Sequence, residues 1–220
     1  MLIHADEACL GNGQERPTPG GCGGLVEIWT GGRTDAPTHR RTDAQSDLFV
    51  GPSAELPRVT APATALGIER YDYFLSEPDT TNNRMALRSA IVVLELLASR
   101  STSLEITFVT DSNYVVLGMT EWVPAWRARG WRRRGGAIEN LDLWQDLVAK
   151  AGAHRIASRW VRGHAGHAKN EYANDLATRA ASDQSASGGL AASAFLAWLA
   201  GERTKGRYAR YDPDTDVTAD

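Results

Sequence analysis

The sequence predicts an α/β domain in which a group of strands comes first and helices then alternate with further strands. Apolar runs of strand length occupy residues 1–5, 22–29, 68–75, 104–110 and 154–161. Apolar positions at helical spacing occupy 83–98, the stretch after Ser112, 141–149 and 170–182. Read in order these give β-β-β-α-β-α-α-β-α, the alternation expected of a sheet flanked by helices.

Each element has a local reason. Residues 1–5 form a short apolar run that stops at Asp6, and 22–29 follows a connection containing G-N-G and P-G-G, which turns the chain. In 68–75, Tyr71, Tyr73 and Leu75 alternate with Arg70 and Asp72, the pattern of a half-buried strand. Residues 33–67 are rich in Thr, Ala, Pro and Asp without any period, and read as a surface insertion. Ala86, Ala90, Val93 and Leu97 make one stripe of the next helix, which Thr81 or Asn82 is placed to cap. The run 104–110 suits a strand buried on both faces, and Asp111 follows at its carboxyl end.

The domain is expected to span 1–182. Beyond it, 183–189 is a small polar linker, and 190–201 is a short apolar helix carrying Phe195, Leu196, Trp198 and Leu199. That helix has an apolar face to dock on the domain or on a second copy, so the chain reads as a monomer with dimerisation through this helix left open. Residues 211–220 are acidic, lack apolar periodicity and are expected to be disordered.

Composition narrows the class. With 220 residues, 42% hydrophobic and 23% charged, the chain can bury a substantial core. A net charge of −3 does not by itself suggest a partner that is a polyanion. Cys9 and Cys22 are too few for a disulfide framework, which fits a reducing cytoplasm. No run of 18 consecutive apolar residues and no basic start followed by an apolar run occurs, so neither a membrane nor secretion is expected.

Chemistry concentrates in A-D-E-A-C-L-G-N from Ala5, T-T-N-N-R-M-A-L from Thr80, T-D-S-N-Y-V from Thr110 and G-H-A-G-H from Gly163, followed by N-E at Asn170 and Glu171. Each is weak alone. Singly, Asp6 at a strand end is more often a turn residue and Asp111 a helix cap. In this order the motifs resemble type 1 ribonuclease H of the bacterial kind. The resemblance implies a mixed five-stranded sheet, three strands antiparallel and then two parallel, flanked by helices. It also implies a two-metal endonuclease that hydrolyses the RNA strand of RNA/DNA hybrids, using Mg²⁺ with Mn²⁺ as a substitute. Asp6 and Asp111 match metal-ligand positions, and carboxylates at the carboxyl ends of central strands suit hard cations. His164 matches the histidine that assists proton transfer or product release, and a Gly-rich loop suits that role. A zinc site of His164 with His167 has no Cys or further His to complete it.

The chain departs from the resemblance at two places. Ala86 stands where the family has a glutamate and Asn174 where it usually has an aspartate, both changes removing negative charge. Asn174 shares a helix face with Asn170, and its amide oxygen can still ligate; Ala86 offers nothing. A unit charge about 4 Å from a dication contributes roughly 8 kcal/mol gross at an effective dielectric near 20. With only Asp6 and Asp111 counted, the expectation is a poorly held second metal and weak or no cleavage.

For the substrate, Asn12, Asn82, Asn83 and Asn113 match positions that read hydroxyls in the wide minor groove of a hybrid, and Thr81 one that holds a DNA phosphate. The segment 121–134 interleaves Trp122, Trp126 and Trp131 with Arg127, Arg129, Arg132, Arg133 and Arg134, resembling the basic protrusion of bacterial enzymes. Its bland alternative is tryptophans partly in the core and arginines on a solvated face. Two rival functions stay open at this point: a catalytically inactive hybrid-binding module, for which Ala86 speaks, and a DNA nuclease of the same broad fold.

Overall fold

Strand β1 (Leu2–Cys9) is the centre of the sheet, pairing antiparallel with β2 (Thr18–Thr30) and parallel with β5 (Glu105–Thr110). The computed structural model describes residues 1–11, 18–30, 49–50, 67–98, 103–163 and 165–214. Asn12, His164, most of the 33–67 insertion and residues 215–220 lie outside the described residues. Strand β4 (Gly67–Thr80) joins β2 antiparallel, and β6 (Arg155–Trp160) joins β5 parallel, which is the five-stranded mixed core expected.

Two short strands extend it. Strand β3 (Phe49–Val50), from within the insertion, pairs parallel with β6, and β7 (Ala191–Ala192) pairs antiparallel with β4. The sheet is thus seven-stranded, in the order β3-β6-β5-β1-β2-β4-β7.

Strand alternation sends successive side chains to opposite faces. Ile3, Ala5, Val26 and Tyr73 face a core built with Leu87, Ala90, Ile91 and Leu94 of α1 (Asn82–Leu97) and Trp144 and Leu147 of α4 (Leu141–Ala151). On the other face Leu25 packs against Tyr172 and Leu176 of α5 (Ala168–Asp183). Helix α5 lies close because β2 carries glycines beneath it. A Cβ on Gly23 would stand 2.7 Å from Leu176 Cβ, and one on Gly21 would strike the α5 backbone at Ala177 and Ala181. Under the same helix, Glu27 is buried between Lys169 Nζ at 2.7 Å and Arg70 Nε at 2.8 Å, which satisfies both of its oxygens.

The C-terminal region differs from the sequence expectation. The helix is α6 (Phe195–Thr204), starting later than 190 because Ala191 and Ala192 are drawn into the sheet edge. Asp72 fixes this corner by accepting from Tyr172 Oη at 2.6 Å and from Ala194 N at 3.0 Å. Phe195 and Leu199 then complete the α5-side core. Residues 211–214, expected to be disordered, are held: Arg203 Nη2 donates to Tyr211 O at 2.6 Å and Arg70 Nη2 to Asp214 Oδ1 at 2.7 Å. Among the described residues no helix is long and apolar enough to cross a membrane.

Candidate active site

The parallel pairing of β1 with β5 ends at Ala5↔Thr110, so Asp6 and Glu7 run on past the end of β5 beside a free edge. Asp111 follows β5 immediately, in a bend beside that edge. Asp6 points to the α5 face, where Asn170 Nδ2 donates to its Oδ2 at 3.2 Å. Glu7 starts from the opposite face. Because no neighbouring strand separates the faces here, both can reach Asp111, and carboxylate oxygens of Asp6, Glu7 and Asp111 all lie within 4.8 Å of one another.

Three carboxylates at that spacing repel. Burial, and then the charge of Asp111, push the Asp6 carboxyl up to about 8, against the pull of the Glu7 N–H and the Asn170 amide. Desolvation, and then the charges of Asp6 and Asp111, push Glu7 well above its ordinary value, with a Ser112 hydrogen bond opposing. Asp6 Oδ1 also accepts from Glu7 N at 2.7 Å. A cluster that resists its own ionisation is one a hard cation would relieve.

Asp111 is held from several sides. Trp160 Nε1 donates to its backbone oxygen at 3.0 Å, Ser112 N donates to Thr110 Oγ1 at 3.1 Å, and Gly163 lies against its carboxylate. Beneath Asp6, His4 is fully buried, and both its ring nitrogens lack partners among the described residues. Burial, followed by the charges of Lys169, Arg159 and His167, holds its pKa well below the usual histidine range.

The other residues singled out by sequence are placed as follows. Ala86 is buried in the α1-side core, 3% exposed, and supplies no ligand. Asn174 is half-buried on α5, one turn beyond Asn170, and makes no hydrogen bond with the carboxylates among the described residues. Thr81 is the α1 cap, accepting from Arg84 N at 3.3 Å. Asn82 and Asn83 open that helix half-buried, and Asn113 opens α2 (Asn113–Leu117) exposed.

Trp122 and Trp126 are half-buried and form an aromatic group with Tyr114 and Trp144, ring centroids 5.2 to 6.5 Å apart. A cleft of about 300 Å³ opens between Tyr114, Trp122, Trp126, Arg133 and Glu139. Trp131, in a left-handed backbone conformation (φ 60°), packs against the same core. Arg127, Arg129, Arg132, Arg133 and Arg134 are exposed and make no ion pair among the described residues. Trp122 and Trp126 therefore serve the core and line a cleft at once, so part of the bland alternative holds.

The residue that sequence reasoning missed is Glu7. Adjacent strand positions point to opposite faces, so nothing in the A-D-E string itself pairs Glu7 with Asp6. The signal would have been that β1 outruns β5, which requires the register.

Residues 57–182 match the family model for RNase H. A ribonuclease H of Pseudomonas paraeruginosa is 45% identical over 180 residues, covering 81% of this chain and 91% of that protein. One from Alcanivorax borkumensis is 36% identical over 180 residues, covering 81% and 89%. Among solved structures, LC9-RNase H1, described as a type 1 RNase H with the type 2 active-site motif, is 41% identical with a TM-score of 0.71, covering 99% of this chain and 94% of that one. The chain belongs to the ribonuclease H family.

Proposed function

We propose that this chain is an active endonuclease that hydrolyses the RNA strand of RNA/DNA hybrids with divalent metal ions, Mg²⁺ or Mn²⁺. The observation that supports it is the convergence of Asp6, Glu7 and Asp111 within 4.8 Å. Glu7 supplies from β1 the carboxylate that Ala86 does not supply from α1, so the site offers −3 rather than the −2 counted without it, plus the Asn174 amide. Family membership and the LC9-RNase H1 comparison, a type 1 enzyme with a different active-site motif, favour the same reading.

Two bound Mg²⁺ ions would stabilise the entering and leaving oxygens of an in-line displacement at phosphorus. Asp6, Glu7 and Asp111 would hold them, with Asn174 as a neutral ligand, and Asn170 orients Asp6 through its amide. His164 would assist proton transfer or product release. Asn12, Asn82, Asn83 and Asn113 would contact sugar hydroxyls in the minor groove, and Thr81 a DNA phosphate. The aromatic cleft with Arg133, together with Arg127, Arg129 and Trp131, engages the sugar-phosphate backbone, which lets a chain of net charge −3 bind a polyanion locally.

The test is cleavage of a labelled RNA/DNA hybrid in Mg²⁺ and in Mn²⁺ by the parent and by Glu7→Gln, with binding of uncut hybrid measured alongside. The parent should cut, and Glu7→Gln should lose on the order of 100-fold or more in kcat, the scale of removing one charge-stabilising group, while still binding hybrid. A parent that binds hybrid but cuts in neither metal would make it a binding module.

A further inference from the structure

Trp160 is 43% exposed, a large apolar ring left in solvent at the carboxyl end of β6. It pairs in register with Thr110, the residue before Asp111, and its indole N–H is committed to the Asp111 backbone oxygen at 3.0 Å. The ring is therefore tethered by its one polar atom while a large part of it stays open. The other exposed large apolar side chains among the described residues, Leu10 and Leu196, have no such tie to the carboxylates.

Its direction follows from β6. Ile156 packs in the α1-side core, and Trp160, four residues on, projects to that same face, the face from which Glu7 starts and on which the aromatic cleft is built. Glu7 on β1, Asp111 after β5 and Trp160 on β6 thus form a row across the end of the sheet. Neighbouring strands lie about 4.8 Å apart, so the indole stands about one strand beyond Asp111.

We infer that Trp160 is a substrate-contacting residue, whose indole face packs on the ribose of the RNA nucleotide next to the attacked phosphate. This rests on the hybrid-nuclease reading above. In a paired hybrid the bases are stacked on one another, whereas the wide minor groove leaves sugar edges open to an apolar surface. An aromatic ring packed there gains contact without reading sequence, as aromatic platforms do for single strands. The N–H bond to Asp111 couples the two functions, so the nucleotide seated on the ring is held in register with the carboxylates.

The experiment compares the parent, Trp160→Phe and Trp160→Ala. It measures binding of a labelled, uncut RNA/DNA hybrid in Ca²⁺, steady-state cleavage in Mg²⁺, the Mg²⁺ half-saturation point and thermal unfolding. The Ala variant should weaken hybrid binding and raise KM by about tenfold, the loss of roughly 1.4 kcal/mol of aromatic contact. The Phe variant keeps a ring and should bind hybrid within about threefold of the parent. Having lost the N–H, it should need more Mg²⁺ for half-saturation, within about tenfold for one neutral hydrogen bond. Ala binding hybrid as tightly as the parent overturns the inference, and so does equal weakening by Phe and Ala, which would assign the effect to the N–H alone. A parent that neither binds nor cuts hybrid brings down the nuclease reading and the platform with it, whereas a parent that does both while Ala matches it brings down the platform alone.

Discussion

Gly163 stands against Asp111 so closely that a Cβ on the glycine would collide with Asp111 Oδ2. The glycine carries no positive φ in the structure, so its requirement is space beside a metal-ligand candidate rather than backbone freedom. Gly163→Ala must push the Asp111 carboxylate aside. A displacement of about 1 Å in a catalytic group can cost on the order of 100-fold. The expected outcome is a 10- to 100-fold drop in kcat and a higher Mg²⁺ requirement with little change in Tm. Parent-like kinetics would show that Asp111 is not held where the geometry puts it.

The raised Asp6 carboxyl makes a pH prediction for protein stripped of divalent ions. Its ordinary value is 3.8 and in the folded chain it is about 8, so the folded state holds the proton more tightly. The stability this contributes is complete below about pH 4 and is lost as pH rises through 8. Asp6→Asn removes the group, so at pH 8 it should raise Tm of the stripped protein by a few degrees, on the order of 1 kcal/mol or more. Mg²⁺ should stabilise the parent more at pH 8 than at pH 5 and lose much of that effect in Asp6→Asn. Calorimetry across pH with and without Mg²⁺ reads both; an opposite pH trend would sink the account.

His4 is buried with two ring nitrogens that have no partner among the described residues. An unsatisfied buried polar group costs about 1–3 kcal/mol. His4→Leu fits beside Leu2, Leu25 and Val109, and is expected to raise stability by about 1 kcal/mol in denaturant titration. A clear loss would mean that the imidazole is partnered in solution.

The C-terminal helix belongs to the domain. Phe195 is fully buried against Tyr172, ring centroids 5.3 Å apart. Phe195→Ala should cost about 3–5 kcal/mol, measured by urea unfolding, in one cooperative transition. A small effect, or a separate early transition, would show that residues 183–214 are an appendage.

Much of the fold was readable because apolar periodicity reports burial. The five core strands, helices α1, α4 and α5 and the position of Asp111 at the end of β5 all follow from runs whose period matches one face or both. Where the reading slipped, a long-range contact had overridden local pattern. Residues 190–194 look like the start of a helix, yet β4 had an unpaired edge, and Ala191 and Ala192 satisfy part of it. Residues 211–214 have no apolar period, and are fixed by Arg70 from far along the chain and by the nearby Arg203 of α6.

The candidate site divides in the same way. Asp6, Asp111 and Asn174 were legible as motif positions, and Ala86 as a missing ligand, because each sits in a short string of residues. That Glu7 joins them depends on where β5 stops relative to β1, a register between segments about a hundred residues apart. The sequence specifies which side chains can carry charge and which stretches must be buried. Which of those charges meet is decided only when the strands are aligned, since a carboxylate has no partner until the fold brings one within reach.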